Sequence, residues 1–190
     1  MKTKKRKTVK SQFSSVNGKP IIYSHFRSVR SRVWERLKAC LSTQRNEESR
    51  IFRQIGGHME FFISMNPPTA TAQMKQVRVV KNKPMFYDPP AVKEAKNALL
   101  AHLAVHKPKE PLTGAITLRA LWLFPRGKSH KNGEWRITRP DTDNLQKMLK
   151  DCMTQCGFWK DDAQVVREIT EKRWSDEPCG IYIEVSEMEE

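Results

Sequence analysis

The strand that decides the fold reads GAITLRALWLFP over residues 114–125. On one face its side chains are apolar at every second position, and Leu121 and Leu123 add apolar side chains to the other face. The first of these sets comprises Ile116, Leu118, Ala120, Trp122 and Phe124. We therefore predict a strand that is buried on both faces.

Two helices are predicted beside this strand. The first follows an N-cap at Asp88 and ends near Lys107, and its apolar positions recur at helical spacing. The second runs from about Thr142 to Cys156, where Gly157 closes it. The inward stripe of the second helix is predicted to comprise Leu145, Met148 or Leu149, Cys152 and Cys156.

Further strands are predicted, of which the last two complete a mixed sheet with the strand over residues 114–125. Apolar alternation between turn residues predicts strands near residues 60–65, 77–80, 164–174 and 181–185. The fold class is therefore α/β, with a small mixed β-sheet packed with two main helices.

Positive charge is concentrated in the first third of the chain. Residues 1–58 carry 15 Lys or Arg against 3 acids, a net of +12, whereas residues 59–190 carry 20 against 18, a net of +2. We interpret residues 1–58 as a basic arm and residues 59–190 as the domain. The arm is either a disordered tail or a segment with nonspecific affinity for DNA.

The boundary at Met59 has a further interpretation. Gly56-Gly57-His58 can be encoded by a purine-rich ribosome-binding sequence a few nucleotides before the Met59 codon, or can be a cloning scar. On either account residues 1–58 would not be part of the native product.

The cysteines and the apolar runs indicate a cellular compartment. Cys40, Cys152, Cys156 and Cys179 form no CxxC pair, and no apolar run has the length of a signal sequence or a membrane span. We expect a cytoplasmic protein in a reducing setting, without a membrane partner.

Two acids stand where the chain reaches the second helix. Asp141 in the extended approach and Asp143 in the first turn can converge on one cation, and Lys147 lies on the same face as Asp143. Two or three carboxylates with a substrate phosphate suit Mg²⁺. The alternative is structural, because a helix start also favours acids as a cap and in the first turn.

A third acid follows the helix in the segment GFWKDDAQV, residues 157–165. The chain turns at Gly157, and the next strand must return toward the helix start, which is why Asp162 is expected near Asp143. The alternative is that Asp161 and Asp162 are simply solvated loop acids.

A basic loop from Pro125 to Arg139 leads to these acids. Its cationic side chains are expected to contact DNA phosphates without reading bases, and the alternative is an ordinary solvated loop. The candidate DNA-binding residues are Arg126, Lys128, His130, Lys131, Arg136 and Arg139.

Residues 139–147, RPDTDNLQK, and residues 157–165 resemble the two signature segments of the RusA family of crossover junction endodeoxyribonucleases. The likeness spans roughly residues 61–185, and the loop at Pro67 and Pro68 is similar to that of phage-encoded members, which suggests a prophage protein. The resemblance implies a RusA-like homodimer that acts on four-way (Holliday) junctions in DNA recombination and repair. It also implies paired symmetric nicks made with Mg²⁺, for which Mn²⁺ is a possible substitute, no small-molecule cofactor, and association with the nucleoid.

The resemblance also implies roles for particular residues. The metal ligands of the family match Asp141, Asp143 and Asp162, and its catalytic lysine matches Lys147. Asp161 is acidic in the family as well, and the choice of Asp162 rests on resemblance. The long arm before Met59, the basic insertion-like stretch from Arg126 to Arg136 and the loop from Pro67 to Thr69 depart from the family pattern, which leaves the preferred junction sequence open.

Two other functions compete with a nuclease. A noncatalytic basic DNA-binding module would use the acids as helix caps, and its binding would be unaffected by EDTA. The Asp141-Thr142-Asp143 pattern also occurs as the metal-binding motif of nucleotide-sugar glycosyltransferases, but the chain is short for that fold and shows no nucleotide-binding half.

Overall fold

A computed structural model describes residues 52–55, 57–71, 74, 76–80 and 83–188, and within them seven strands and two long helices. The strands are β1 (Phe52–Ile55), β2 (His58–Ser64), β3 (Gln76–Val80), β4 (Lys83–Tyr87), β5 (Ile116–Pro125), β6 (Val165–Ser175) and β7 (Gly180–Glu187). The helices are α1 (Pro90–Ala104) and α2 (Thr142–Cys156), and a short 3-10 helix spans Asp162–Gln164.

Five of these strands form one mixed sheet in the order β1-β2-β7-β5-β6. β5 and β6 are parallel, and the other neighbours are antiparallel. β3 and β4 form a separate two-stranded ribbon. The predicted α/β class, with a mixed sheet and two main helices, is confirmed.

β5 is an interior strand of the sheet, between β7 and β6. Leu121 and Leu123 are buried on one face, and the five alternating residues predicted for the other face are buried as well. The prediction of burial on both faces is confirmed. Trp122 and Phe124 pack in the same core cluster as the buried stripe of α2.

The connection from β5 through α2 to β6 sets the position of the candidate site. Next to the start of α2, the carbonyl oxygen of Pro140 accepts a hydrogen bond from Lys172, near the end of β6. Lys150 in the middle of α2 pairs with Glu168 in the middle of β6. α2 therefore runs antiparallel to β6, and the 3-10 helix that precedes β6 lies at the far end of α2.

The start of α1 differs from the prediction. Its N-cap is Pro89, without a side-chain cap, so the expected cap at Asp88 is wrong. The Asp88 carboxylate instead accepts a hydrogen bond of 2.7 Å from Lys96 Nζ, two turns into the helix. α1 ends at Ala104, three residues before the predicted end.

The arm predicted at residues 1–58 lies largely outside the described residues. Its described part includes β1, which pairs antiparallel with β2 from Phe52 opposite Phe61 to Ile55 opposite His58. Residues just before Met59 thus join the sheet. No helix in the described part of the chain is long and apolar enough to cross a membrane.

Candidate active site

The start of α2 carries two exposed acids. Asp141 is extended, with φ −75° and ψ 152°, and its carbonyl oxygen accepts the helical hydrogen bond from Leu145 N at 3.2 Å. Its carboxylate makes no capping hydrogen bond. Asp143 follows in the first turn, where the helix dipole favours a negative charge. Of the structural alternative, the part in which the Asp141 side chain caps the helix therefore does not apply, whereas Asp143 does occupy the first turn.

The buried stripe of α2 directs Asp143 and Lys147 toward solvent. Both side chains belong to exposed residues one turn apart. The stripe on the core side comprises Leu145, Met148, Leu149, Cys152 and Met153. The predicted inward stripe is confirmed except that Cys156 is only half-buried, and Met153 belongs to it as well.

A second lysine, which the sequence reasoning missed, lies at the same end of α2. Lys172 Nζ donates hydrogen bonds to the carbonyl oxygens of Thr138, at 2.8 Å, and Pro140. Burial lowers the pKa of Lys172, the Asp141 carboxylate opposes that shift, and Arg136 reinforces it. Lys172 thus ties the last residues before Asp141 to β6 and brings a positive charge near its carboxylate.

The signal for Lys172 was present in the sequence. A helix rises about 1.5 Å per residue and a strand about 3.3 Å. The 15 residues of α2 span about 22 Å, which about seven strand residues match. A strand that begins at Val165 therefore reaches the level of the helix start at Lys172.

The far end of α2 holds the other two acids. Asp161 Oδ1 accepts a hydrogen bond of 2.8 Å from Ala163 N, so Asp161 caps the 3-10 helix. Gln164 Oε1 completes the capping box by accepting from Lys160 N and Asp161 N. Asp162 is half-buried, and no hydrogen bond or ion pair joins its carboxylate to the part of the chain that the structure describes. Of the two acids, Asp161 is therefore the one whose carboxylate stabilises the 3-10 helix.

The two pairs of acids lie at opposite ends of α2. The returning strand brings Lys172, rather than Asp162, to the level of Asp141 and Asp143. The expectation that Asp162 meets Asp143 within one chain is therefore not met. Consistent with this separation, no three His, Cys, Asp or Glu side chains among the described residues are close enough together to hold a metal ion.

Three of the six candidate DNA-binding residues help to hold the basic loop. Arg126 pairs with Asp176, and the His130 ring stacks on Trp174 with 4.4 Å between centroids. The Arg136 guanidinium lies 4.0 Å from the centre of the Phe124 ring and 4.4 Å from that of Trp174. These contacts give the loop a defined shape beside the start of α2.

The other three candidates, Lys128, Lys131 and Arg139, are exposed. Backbone hydrogen bonds fix the middle of the loop to the outer edge of β6: Gly133 N donates to Trp174 O, and Trp174 N donates to Glu134 O, both at 2.8 Å. The loop therefore presents exposed positive charge from a fixed backbone.

Known proteins similar to this chain give its family. The family model described as endodeoxyribonuclease RusA matches residues 65–186. A crossover junction endodeoxyribonuclease RusA of Lactococcus phage r1t is 34% identical over 131 residues, which are 68% of this chain and 98% of that protein.

Two further relatives match less of the chain. The uncharacterized protein YqaN of Bacillus subtilis is 29% identical over 102 residues, 48% of this chain and 71% of that protein. The crossover junction endodeoxyribonuclease RusA of Escherichia coli K12 is 64% identical over 28 residues, 15% of this chain and 23% of that protein. From the extent of the family match and of the phage relative, we conclude that the chain belongs to the RusA family and is a nuclease.

Proposed function

We propose that this nuclease resolves four-way (Holliday) DNA junctions as a homodimer in recombination and repair, with paired symmetric nicks that depend on Mg²⁺. The observation that carries the proposal is the start of α2, where Asp141, Asp143 and Lys147 are all exposed and the Asp141 carboxylate caps nothing. The name of the phage relative supports the junction as substrate.

The residues at this helix start fit Mg²⁺. Proteins commonly hold Mg²⁺ with one or two carboxylates, and substrate phosphate and water complete the octahedron. Asp141 and Asp143 supply two hard oxygen donors beside a basic loop suited to DNA, and Mn²⁺ accepts the same ligands. When bound, the metal polarises the phosphate and lowers the pKa of the attacking water.

The lysines supply the remaining charge. Lys147, one turn beyond Asp143, is placed to stabilise the negative charge that grows on the phosphate or on the leaving oxygen. Lys172 is committed to the carbonyl oxygens of Thr138 and Pro140, so it positions the backbone that leads to Asp141. Lys128, Lys131 and Arg139 hold the phosphates on either side.

A second copy of the chain supplies Asp162 in this proposal. Within one chain, Asp162 lies beyond the far end of a helix about 22 Å long. A two-fold axis across α2 would set two copies of the helix antiparallel, so that Asp162 of each copy lies beside Asp141 and Asp143 of the other. Such a dimer has two identical sites, as paired nicks require.

The ribbon of β3 and β4 offers a surface for this second copy. Val77, Val79 and Met85 on it are 54%, 68% and 56% exposed. A two-stranded ribbon is marginally stable in water unless it packs against something else. Contact with a second copy would bury these side chains and stabilise the ribbon.

The decisive experiment mixes two inactive variants. Asp143→Asn and Asp162→Asn are each expected to abolish nicking of a synthetic four-way junction in Mg²⁺. In a mixed dimer one site combines both substitutions, while the other has both native acids. Random mixing at equal concentrations should therefore restore about a quarter of the wild-type incisions, as single nicks rather than pairs.

The matched control mixes Asp141→Asn with Asp143→Asn. Both changes lie at the same end of α2, so every site in a mixed dimer contains one of them and activity should stay absent. If the first mixture also stays inactive although mass spectrometry detects mixed dimers, the shared site is refuted. If wild-type protein nicks no junction in Mg²⁺ or Mn²⁺, the proposed substrate is wrong.

A further inference from the structure

The basic loop presents an unusually exposed apolar side chain beside the candidate site. Ile137 is 92% exposed, and Trp135, two residues earlier, is 41% exposed. Alternate side chains of an extended segment point to opposite sides, so both lie across the backbone from Arg136. We infer that Ile137 is a wedge that inserts between bases at the branch point of a DNA junction, an inference that rests on the proposed function.

The residue before Ile137 is fixed through both its side chain and its backbone. The Arg136 guanidinium lies over the rings of Phe124 and Trp174. Its backbone N–H donates to the carbonyl oxygen of Lys172 at 3.1 Å. Ile137 is therefore held outward on an anchored segment. An apolar group that is ordered before binding loses less freedom when it enters a stack of bases.

Trp135 supports the same side of the segment. It forms a β-bridge with Arg173, whose guanidinium lies 3.5 Å from the centre of the Trp135 ring. An aromatic ring with a cation stacked on it, next to an exposed aliphatic side chain, is a surface that suits bases and phosphates together. The outward side of residues 135–137 thus combines the apolar side chain of Ile137 with the positively charged guanidinium of Arg173 on Trp135.

The charge around Ile137 favours DNA as the group that covers it. Residues 126–139 contain five Lys or Arg and one acid, a net of +4, whereas residues 59–190 as a whole carry +2. A two-fold contact between copies through this surface would place like charge against like charge. DNA phosphates would be attracted to the Lys and Arg residues of this segment, and the bases between those phosphates would face Ile137.

The position of Ile137 favours the branch point over continuous duplex. Ile137 and Asp141 are four positions apart in the chain, so their Cα atoms are at most about 15 Å apart. That span corresponds to about four nucleotides of one strand. Proteins that kink DNA insert Ile and other apolar wedges between base steps. Separating bases costs least where stacking is weakest, and the base pairs that flank a branch point lack the continuous stacking of duplex on one side only.

The test uses a four-way junction with 2-aminopurine at the branch point, because the fluorescence of this base rises when it is unstacked. Fluorescence is measured in EDTA at saturating full-length protein, and a mobility shift measures affinity for the junction and for the matched duplex. Wild-type protein should raise the fluorescence. Ile137→Ala should abolish most of that rise and reduce the ratio of junction to duplex affinity about tenfold.

Two substitutions separate a wedge from a simple contact. Ile137→Leu should keep the rise because it keeps apolar bulk, whereas Ile137→Lys should lose it although it adds a positive charge. Val105→Ala, at a 54% exposed aliphatic residue just after α1, is the matched control and should behave as wild type.

The inference is overturned if saturating Ile137→Ala raises the fluorescence as much as wild type does. It is also overturned if this substitution changes the oligomeric state in size-exclusion chromatography with light scattering, since Ile137 would then belong to a contact between copies. Failure of the proposed function looks different, because wild-type protein itself would then neither shift nor nick the junction.

Discussion

The two ends of α2 use the same residue type in opposite ways. At the far end, the Asp161 carboxylate accepts a backbone hydrogen bond, and Gln164 binds the neighbouring N–H groups. At the start, Asp141 occupies the N-cap position and its carboxylate caps nothing. An acid that leaves the usual structural role unfilled remains available for a cation, whereas an acid that fills it does not.

The largest effect is expected at the start of α2. Asp143→Asn keeps the shape of the side chain and removes its charge, so the rate of junction nicking in Mg²⁺ should fall about 10³-fold. Asp151→Asn, at an exposed acid later in the same helix, is the matched control and should stay within about twofold of wild type. Equal rates for both variants would remove Asp143 from the site.

A comparable loss is expected for Asp162→Asn, and very little for Asp161→Asn. Asn caps a helix about as well as Asp does, so Asp161→Asn should change the unfolding free energy by less than about 0.5 kcal/mol. Nicking rates and urea unfolding curves measure the two effects. A dead Asp161→Asn with an active Asp162→Asn would transfer the third ligand to Asp161.

A smaller loss is expected for Lys147→Ala, about 10²-fold in the nicking rate, because it removes one charge that stabilises the reacting phosphate. Single-turnover nicking at saturating protein measures this effect separately from DNA affinity. Lys150→Ala is a useful comparison. Lys150 lies about one turn beyond Lys147 on α2 and forms an ion pair with Glu168 of β6. Similar losses in both variants would show that general charge, rather than the position of Lys147, matters.

Lys172→Met should lower the single-turnover rate about tenfold through displacement of Asp141. The carbonyl oxygens of Thr138 and Pro140 lose their shared donor, so the segment before α2 is no longer tied to β6. Lys172→Arg should recover part of the rate because it restores a donor. An unchanged rate in the Met variant would mean that the loop holds Asp141 without Lys172.

At Gln164 we expect a loss of stability with only a modest effect on catalysis. Gln164 Nε2 donates to the carbonyl oxygens of Leu112, at 3.0 Å, and Gly114, and its Oε1 completes the capping box. Gln164→Ala should therefore lower the unfolding free energy by about 1–3 kcal/mol, measured in urea, with a modest effect on nicking. A large loss of nicking without loss of stability would instead show that Gln164 has a direct role in catalysis.

The sequence predicted the elements better than their spatial relation. β5 was recognisable because its apolar residues alternate. The end of α2 was recognisable because a glycine follows its last residue, and Gly157 does adopt a left-handed φ of 84° there. The cap of α1 was misassigned because Asp88 can reach Lys96, a contact between residues eight positions apart. Such side-chain choices depend on packing that periodicity does not reveal.

The sequence indicated which residues are candidates for the site, but not which of them lie close together in one chain. The two signature segments identified the acids and Lys147 from their order along the chain. That order alone omits the length of the return along α2: about seven strand residues are needed, so Lys172 rather than Asp162 reaches the level of the helix start. The roles predicted for Asp141, Asp143, Asp162 and Lys147 stay predictions that the experiments above address.

The bonds between the basic loop and β6 have a consequence for solubility. β6 is the last strand of the sheet, and the N–H and C=O groups along such an outer edge can template the addition of a foreign strand. Near its end, Lys172 and Trp174 already bond to the loop backbone at Gly133, Glu134 and Arg136. The segment that carries Ile137 thus also shields this edge from edge-to-edge aggregation, so shortening it is expected to expose the protein to self-association.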